Sequence, residues 1–202
     1  MATTRTRKTA TTRATSTRGR ARIARGARRA PRRKVSLAGR DAIAVLKADH
    51  VRIKALLKAL QGAHTAARRS SLIDQTEQLL KQHTRIEEQI FYPAFREAAK
   101  NARDRRLFHE ATEEHHIVDV VLPEVRDARH EPEVFAARAK VLRELVEHHI
   151  EEEQEDMFPR ARRLLSEAEL HDLGTTMSAR AHADQPPTGA LHAVGALIGL
   201  VP

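Results

Sequence analysis

His83, Glu87 and Pro93 recur 66 positions later as His149, Glu153 and Pro159, and His50 recurs 65 positions later as His115. This repeat constrains the fold because every one of these histidines lies on an apolar stripe of helical period. The first stripe reads Ile43, Leu46, His50, Ile53, Leu57, Leu60 and the second Leu72, Thr76, Leu79, His83, Glu87, Ile90. The third reads Phe108, Ala111, His115, Val118, Leu122, Val125 and the fourth Phe135, Leu142, Leu145, His149, Glu153. No sustained polar–apolar alternation suggests strands.

Local signals punctuate the four helices. Asp41 is an expected N-cap and Gly62 a stop for the first. Ser70 or Ser71 is the expected cap of the second, which Pro93 should end or kink. Pro132 suits the first turn of the fourth, with Pro159 at its far end. Ser166-Glu167-Ala168-Glu169 fits a capping box and predicts a short fifth helix through about Ala181. The expected fold is all-α: an up-down-up-down four-helix bundle of two pseudo-repeated hairpins over residues 41–165, with an appended helix over 166–182. An Arg-rich tail (1–36), expected to be disordered, precedes it, and an apolar tail (183–202) follows. With 41% hydrophobic but only 3% aromatic residues, aliphatic side chains are expected to fill the core.

Two histidine doublets must be resolved before a site is read. Seated inward, His115 has Phe108, Ala111, Val118, Leu122 and Val125 along its stripe, whereas His116 would have His109, Thr112, Asp119, Pro123 and Arg126. His149 has Leu142 and Leu145 above it, whereas His148 has Val141 and Glu144. His115 and His149 therefore face in, and His116 and His148 are boundary residues or at most partners that support the inward ligands.

One histidine on an apolar stripe is ordinarily a core residue with a hydrogen-bond partner. Here all four helices carry one at comparable depth, and two add a carboxylate four residues later on the same face, within about 5–6 Å. Two carboxylates buried without partners would cost several kcal/mol each and would raise each other's pKa; a bound cation turns that penalty into binding energy. The candidate ligands are His50, His83, Glu87, His115, His149 and Glu153. The chain has no cysteine, which excludes disulfides, thiolate zinc sites, iron–sulfur clusters and cysteine nucleophiles. Imidazole with carboxylate suits iron, manganese, copper or zinc, and six donors exceed the need of one tetrahedral zinc. If both carboxylates bridge, each of two ions receives two histidines and two oxygens. A solvent-derived bridge then leaves one position open on each.

At these residues the chain resembles the hemerythrin-like, or HHE cation-binding, family over about Asp41–Ala181. The resemblance rests on Ala48-Asp49-His50; on His83-Thr84-Arg85-Ile86-Glu87 followed by Phe91-Tyr92-Pro93; on Glu113-Glu114-His115-His116; and on His148-His149-Ile150-Glu151-Glu152-Glu153 followed by Met157-Phe158-Pro159. It implies two non-haem iron ions, bridged by carboxylates and an oxo or hydroxo group, held by those six candidate ligands. Oxygen-carrying members present two histidines four apart on the third helix, but here Ala111 and Asp119 flank His115 at that spacing. They also end the fourth-helix motif with Asp five residues after the histidine, where this chain has Glu153 four after His149. One ligand fewer points away from a dedicated oxygen carrier and towards binding or reduction of dioxygen, peroxide or nitric oxide, in stress response or sensing. Carriers, sensors and oxidases share such ligands, so turnover is not assigned.

The formal charge of +9 resides in the N-terminal tail. Residues 1–34 hold 13 Lys or Arg and no acid, whereas the remainder carries four more acids than bases. Such a segment cannot bury enough apolar surface to fold alone. It could be a solvated appendage, a transit peptide or a sequence-blind grip on nucleic-acid phosphates through residues 1–34; in the last case the bundle would handle oxidants or iron for a nucleic-acid-associated protein. No run approaches the length of a membrane span and no signal peptide opens the chain, so a cytoplasmic location without membrane contact is expected. The final segment Gln185–Pro202 is expected to be disordered or to form a short helix packed on the bundle; alternatively, its apolar and glycine residues over Leu191–Leu200 loosely resemble the peptides that load hemerythrin-like proteins into encapsulin shells.

Overall fold

The computed structural model describes residues 39–183, so the expectations for the tails at 1–36 and 183–202 lie outside the described residues, save for Ala183, which is helical. Among the described residues there are helices and no strand. None of these helices is long and apolar enough to cross a membrane.

Helix α1 (Ala42–Gln61) begins at Asp41, whose Oδ1 accepts from the Ala44 N–H at 2.8 Å, and is stopped by Gly62, whose N–H bonds to Lys58 O. Helix α2 (Ala66–Ile86) begins one turn earlier than expected. Its cap is Thr65, accepting from Arg68 N at 3.2 Å, and Ser70 and Ser71 lie inside the helix. Tertiary anchoring explains the shift. Buried Arg69 donates to Ala63 O and Arg129 O and lies over the Phe135 ring at 4.7 Å, tying the start of α2 to residues far along the chain.

Neither Pro93 nor Pro159 ends its helix. A π-helical segment, Glu87–Phe91, carries α2 into α3 (Tyr92–Ala98). A second, Glu153–Met157, carries α5 (Pro132–Glu152) into α6 (Phe158–Leu164). The Tyr92 N–H bonds back to Glu87 O, and the Phe158 N–H to Glu153 O, five residues rather than four. In a regular α-helix each proline ring would crowd the carbonyl four residues before it and leave that carbonyl without a donor. Widening the preceding turn by one residue removes the conflict without ending the helix.

Between the two segments runs α4 (Ala102–Asp127), capped by Asn101, and a single 3₁₀ turn, Ala128–His130, leads into α5. Helix α1 packs on α2, α5 and α7 (Glu167–Ala183), and α4 packs on α5 and α2. The capping box at the start of α7 is formed: Ser166 N donates to Glu169 Oε2 at 2.7 Å, and Glu169 N to Ser166 Oγ at 3.2 Å. Helix α7 crosses the start of α1 at backbone distance, since a Cβ on Gly174 would lie 2.2 Å from Arg40 O.

The core is split in two. One apolar cluster joins Ile43, Leu46, Phe91, Tyr92, Phe95, Met157 and Phe158 to α7; the other joins Ile53, Leu57, Leu60, Leu72, Phe135 and Leu142. Aliphatic residues supply most of it, but the few aromatics are concentrated inside: Phe91, Tyr92, Phe95, Phe135 and Phe158 are all essentially unexposed. His50, His83 and His115 fall between the two clusters in chain order on α1, α2 and α4, and His149 lies at the end of the second cluster on α5, so that the four form a polar belt across the interior.

Candidate metal centre

The six candidate ligands lie together in that belt, each at most 6% exposed. His50 and His83 point their Nε2 atoms at each other across 3.1 Å, and His115 and His149 do so across 3.2 Å. Glu87 lies between the two pairs. Its Oε1 is 3.0 Å from His83 Nε2 and 3.8 Å from His50 Nε2, while its Oε2 is 3.3 Å from His115 Nε2. Glu153 Oε2 approaches His50 Nε2 at 3.1 Å and His149 Nε2 at 3.6 Å. The other oxygen of Glu153 accepts a hydrogen bond from the Tyr92 hydroxyl at 3.0 Å.

The π-helical segments set these positions. Glu87 and Glu153 are their first residues, one turn after His83 and His149. The extra residue changes the phase of the next turn, bringing Tyr92 and Phe158 back over the site. Tyr92 stacks on His115 with ring centroids 5.7 Å apart and planes at 16°; Phe158 stacks on His50 at 5.7 Å and 9°.

Electrostatically the belt is a set of buried acids and bases. Burial disfavours a charge on His50, but the Glu153 and Glu87 carboxylates outweigh it and hold the imidazole up to about 9. His115, likewise opposed by burial but favoured by Glu87 and Glu88, also lies at about 9. His149 is raised too, its burial overcome by the charge of Glu153 and the bond to Glu114. Burial works against an ionised Glu87, yet His83, His115 and His50 hold it well below the usual carboxylate range. Burial and the negative charges of Glu153 and Glu87 push the Tyr92 hydroxyl well above its ordinary value, so it is a hydrogen-bond donor and not a phenolate.

These residues fit a metal. Both oxygens of Glu87 and Oε2 of Glu153 are buried without a hydrogen-bond partner among the described residues. Orphaned acceptors converging in a buried interior are what a cation satisfies at once. Ligand atoms of His50, His83, Glu87 and Glu153 lie within 4.8 Å of one another, as do those of Glu87, His115 and His149. Glu87 belongs to both groups, so the donors divide into two sets that share a carboxylate. Beside them a small apolar pocket is lined by Ile53, Leu80, Val118, Val146 and Ile150, with His83, His115 and His149 at its polar end.

Several partners of the site escape a reading of the sequence alone. Glu88 accepts from His115 Nδ1 at 3.0 Å, Glu114 accepts from His149 Nδ1 at 2.8 Å, and the Gln154 amide lies 3.0 Å from His50 Nδ1. Glu88 and Gln154 directly follow the two buried glutamates, and that adjacency in both repeats was the signal that could have found them. His116 and His148 are exposed, as the stripe comparison expects. The Tyr92 hydroxyl, too, bonds a candidate ligand.

The hemerythrin HHE cation-binding domain profile matches residues 41–161. Uncharacterised proteins from two strains of Mycobacterium tuberculosis and from Mycobacterium bovis are each 30% identical over 142 residues, covering 69% of this chain and 84% of theirs. No solved structure matches the chain significantly. With the profile spanning more than half of its length and the ligand types of a cation site gathered in its interior, the chain belongs to the hemerythrin HHE cation-binding domain family.

Proposed function

We propose that this chain is a non-haem di-iron protein that binds or reduces a small oxidant ligand, dioxygen, peroxide or nitric oxide, and that His50, His83, Glu87, His115, His149 and Glu153 hold the two ions. The observation that carries this reading is the division of donors into two facing imidazole pairs, 3.1 and 3.2 Å apart at Nε2, with one oxygen of Glu87 directed at each pair. The repeat of histidine, glutamate and π-helical segment in both halves supports reading residues 41–165 as two pseudo-repeated hairpins in an up-down-up-down bundle. Helix α7 is then the appended element.

Bound iron would supply coordination positions that the six residues leave open, together with a change of oxidation state. The chain's own residues do the rest. Ile53, Leu80, Val118, Val146 and Ile150 exclude water beside the histidines, which favours a small ligand of low charge. Tyr92 orients Glu153 by donating to its Oε1, so that Oε2 faces His50 and His149. Glu88 and Glu114 accept the Nδ1 protons of His115 and His149, which leaves the Nε2 lone pairs free for a metal.

Metal analysis with an ultraviolet–visible spectrum of chain produced with iron, before and after peroxide, tests this reading. About two irons per chain, charge-transfer bands that respond to peroxide, and loss of both in His83→Ala or Glu153→Ala are expected. A single zinc, or iron whose spectrum ignores dioxygen, peroxide and nitric oxide alike, would overturn it.

A further inference from the structure

The repeat that makes the two halves alike also reveals where they differ. Equivalent positions lie 65 or 66 residues apart, so each residue behind an imidazole has a counterpart. Behind His115 stands the Glu88 carboxylate, 3.0 Å from Nδ1; behind its counterpart His50 stands the uncharged Gln154 amide at the same 3.0 Å. Behind His149 stands Glu114, 2.8 Å from Nδ1. The counterpart of Glu114 is Asp49, which is buried but turned to Arg52, with Oδ1 accepting from Nη1 at 2.8 Å. His83 Nδ1, which Asp49 would back by symmetry, has no hydrogen-bond partner among the described residues. Among the described residues one pair of histidines is thus backed by two carboxylates and the other by none.

A carboxylate that accepts the Nδ1 proton fixes the tautomer with Nε2 free, locks the ring and makes the imidazole a stronger donor. The Gln154 amide turns its nitrogen, a donor, to His50 Nδ1, so it accepts no proton there and adds no charge. An imidazole with nothing at Nδ1 gains neither orientation nor basicity. The shared carboxylate does not compensate, because Glu87 offers one oxygen to each pair.

Resting on the two-cation reading, we propose that the two metal positions are unequal: the His115/His149 position holds its cation tightly, and the His50/His83 position is the one that exchanges. Glu88 and Glu114 are positioning residues that act through the histidines. Glu114 is the better shielded, its side chain 22% exposed against 43% for Glu88, and carries the larger share.

The test tracks iron loss from the full chain loaded with two irons, under a reductant, by capture of iron(II) in a coloured ferrous chelator. Wild type is expected to release iron in two phases of about one ion each. The Glu88→Gln, Glu114→Gln double variant should accelerate the slow phase by about 10–100-fold and leave the fast phase unchanged. Gln154→Glu, which places a carboxylate behind His50, should slow the fast phase alone. Circular dichroism of each loaded variant separates these effects from lost structure, since a misfolded chain would accelerate both phases together. Two ions leaving wild type in a single phase, or variants that shift both phases equally in a folded chain, would overturn the proposal. Fewer than two irons in loaded wild type would instead overturn the two-cation reading and the proposal with it, and the iron count tells the two failures apart.

Discussion

Tyr92 shows how much one atom can matter in this interior. Its ring covers His115 and its hydroxyl holds Glu153, whereas Phe158 in the other half supplies the ring alone. Tyr92→Phe is expected to keep the stacking and the fold and to cost about 1 kcal/mol for the lost hydrogen bond, read by denaturant titration. It should also alter the absorption of the loaded centre, and a spectrum identical to wild type would show that the hydroxyl does not orient Glu153. The histidines predict a pH dependence. Unfolded, His50 and His115 take up protons at the ordinary value of 6.5, and folded at about 9. Both states are protonated below the lower value, so the stabilisation is full there. It falls as pH rises through about 9, because the folded chain then releases protons the unfolded one has already lost. Metal-free protein should therefore become easier to denature between about pH 6.5 and about pH 9, while metal uptake strengthens over the same interval because the cation must displace those protons. Denaturation midpoints that stay flat across that interval would contradict this network of acids and bases.

Among the elements, the π-helical segments tie sequence to site most directly. Pro93 and Pro159 cannot donate to the carbonyls of Gln89 and Glu155, and the widened turn before each sets Glu87 and Tyr92, or Glu153 and Phe158, in their relative phase. Pro93→Ala restores a donor and permits a regular turn. It is expected to lower metal content while leaving helical circular dichroism unchanged, and metal analysis after dialysis checks it; full occupancy would mean that the rest of the bundle imposes the π geometry. Gly174→Ala tests the seating of α7. With a Cβ placed 2.2 Å from Arg40 O, the backbones must part, and a loss of about 1–3 kcal/mol is expected in thermal or denaturant unfolding. How legible these elements were differs by cause. Asp41, Gly62 and the Ser166–Glu169 box act within a single turn and could be read locally. The start of α2 could not, because Arg69 anchors it through Arg129 and Phe135, about 60 residues away in sequence. Nor could the passage through Pro93 and Pro159, where the local rule allows an end or a kink and packing of Phe91, Tyr92, Phe95 and Phe158 into one cluster favours continuation.

For the whole molecule, the polar belt divides the core, and its stability depends on what fills it. Two apolar clusters separated by buried acids and bases are joined when a cation satisfies those groups, so stripping the metal by chelation should lower the unfolding temperature, and restoring iron should recover it. At a free-metal concentration 100 times the dissociation constant, the linkage contributes about 2.7 kcal/mol per site. The basic segment over residues 1–34 is a separate matter. Removing it is expected to leave iron content and spectrum intact while abolishing any salt-dependent retention of nucleic acid in a filter assay. Unchanged retention after truncation would end the nucleic-acid proposal. What the sequence determined by itself is whatever depends on period and residue type: the all-helical class, the repeat, and the six inward donors, since spacing of 3.6 residues per turn places them on one face each. How those faces meet depends on packing: that Glu87 reaches His115 as well as His83, that Tyr92 reaches across to Glu153, and that among the described residues carboxylates back the His115/His149 pair and not the other. Apart from Glu87 with His83, those contacts join residues on different helices, and no spacing along the chain encodes the angle at which two helices pack.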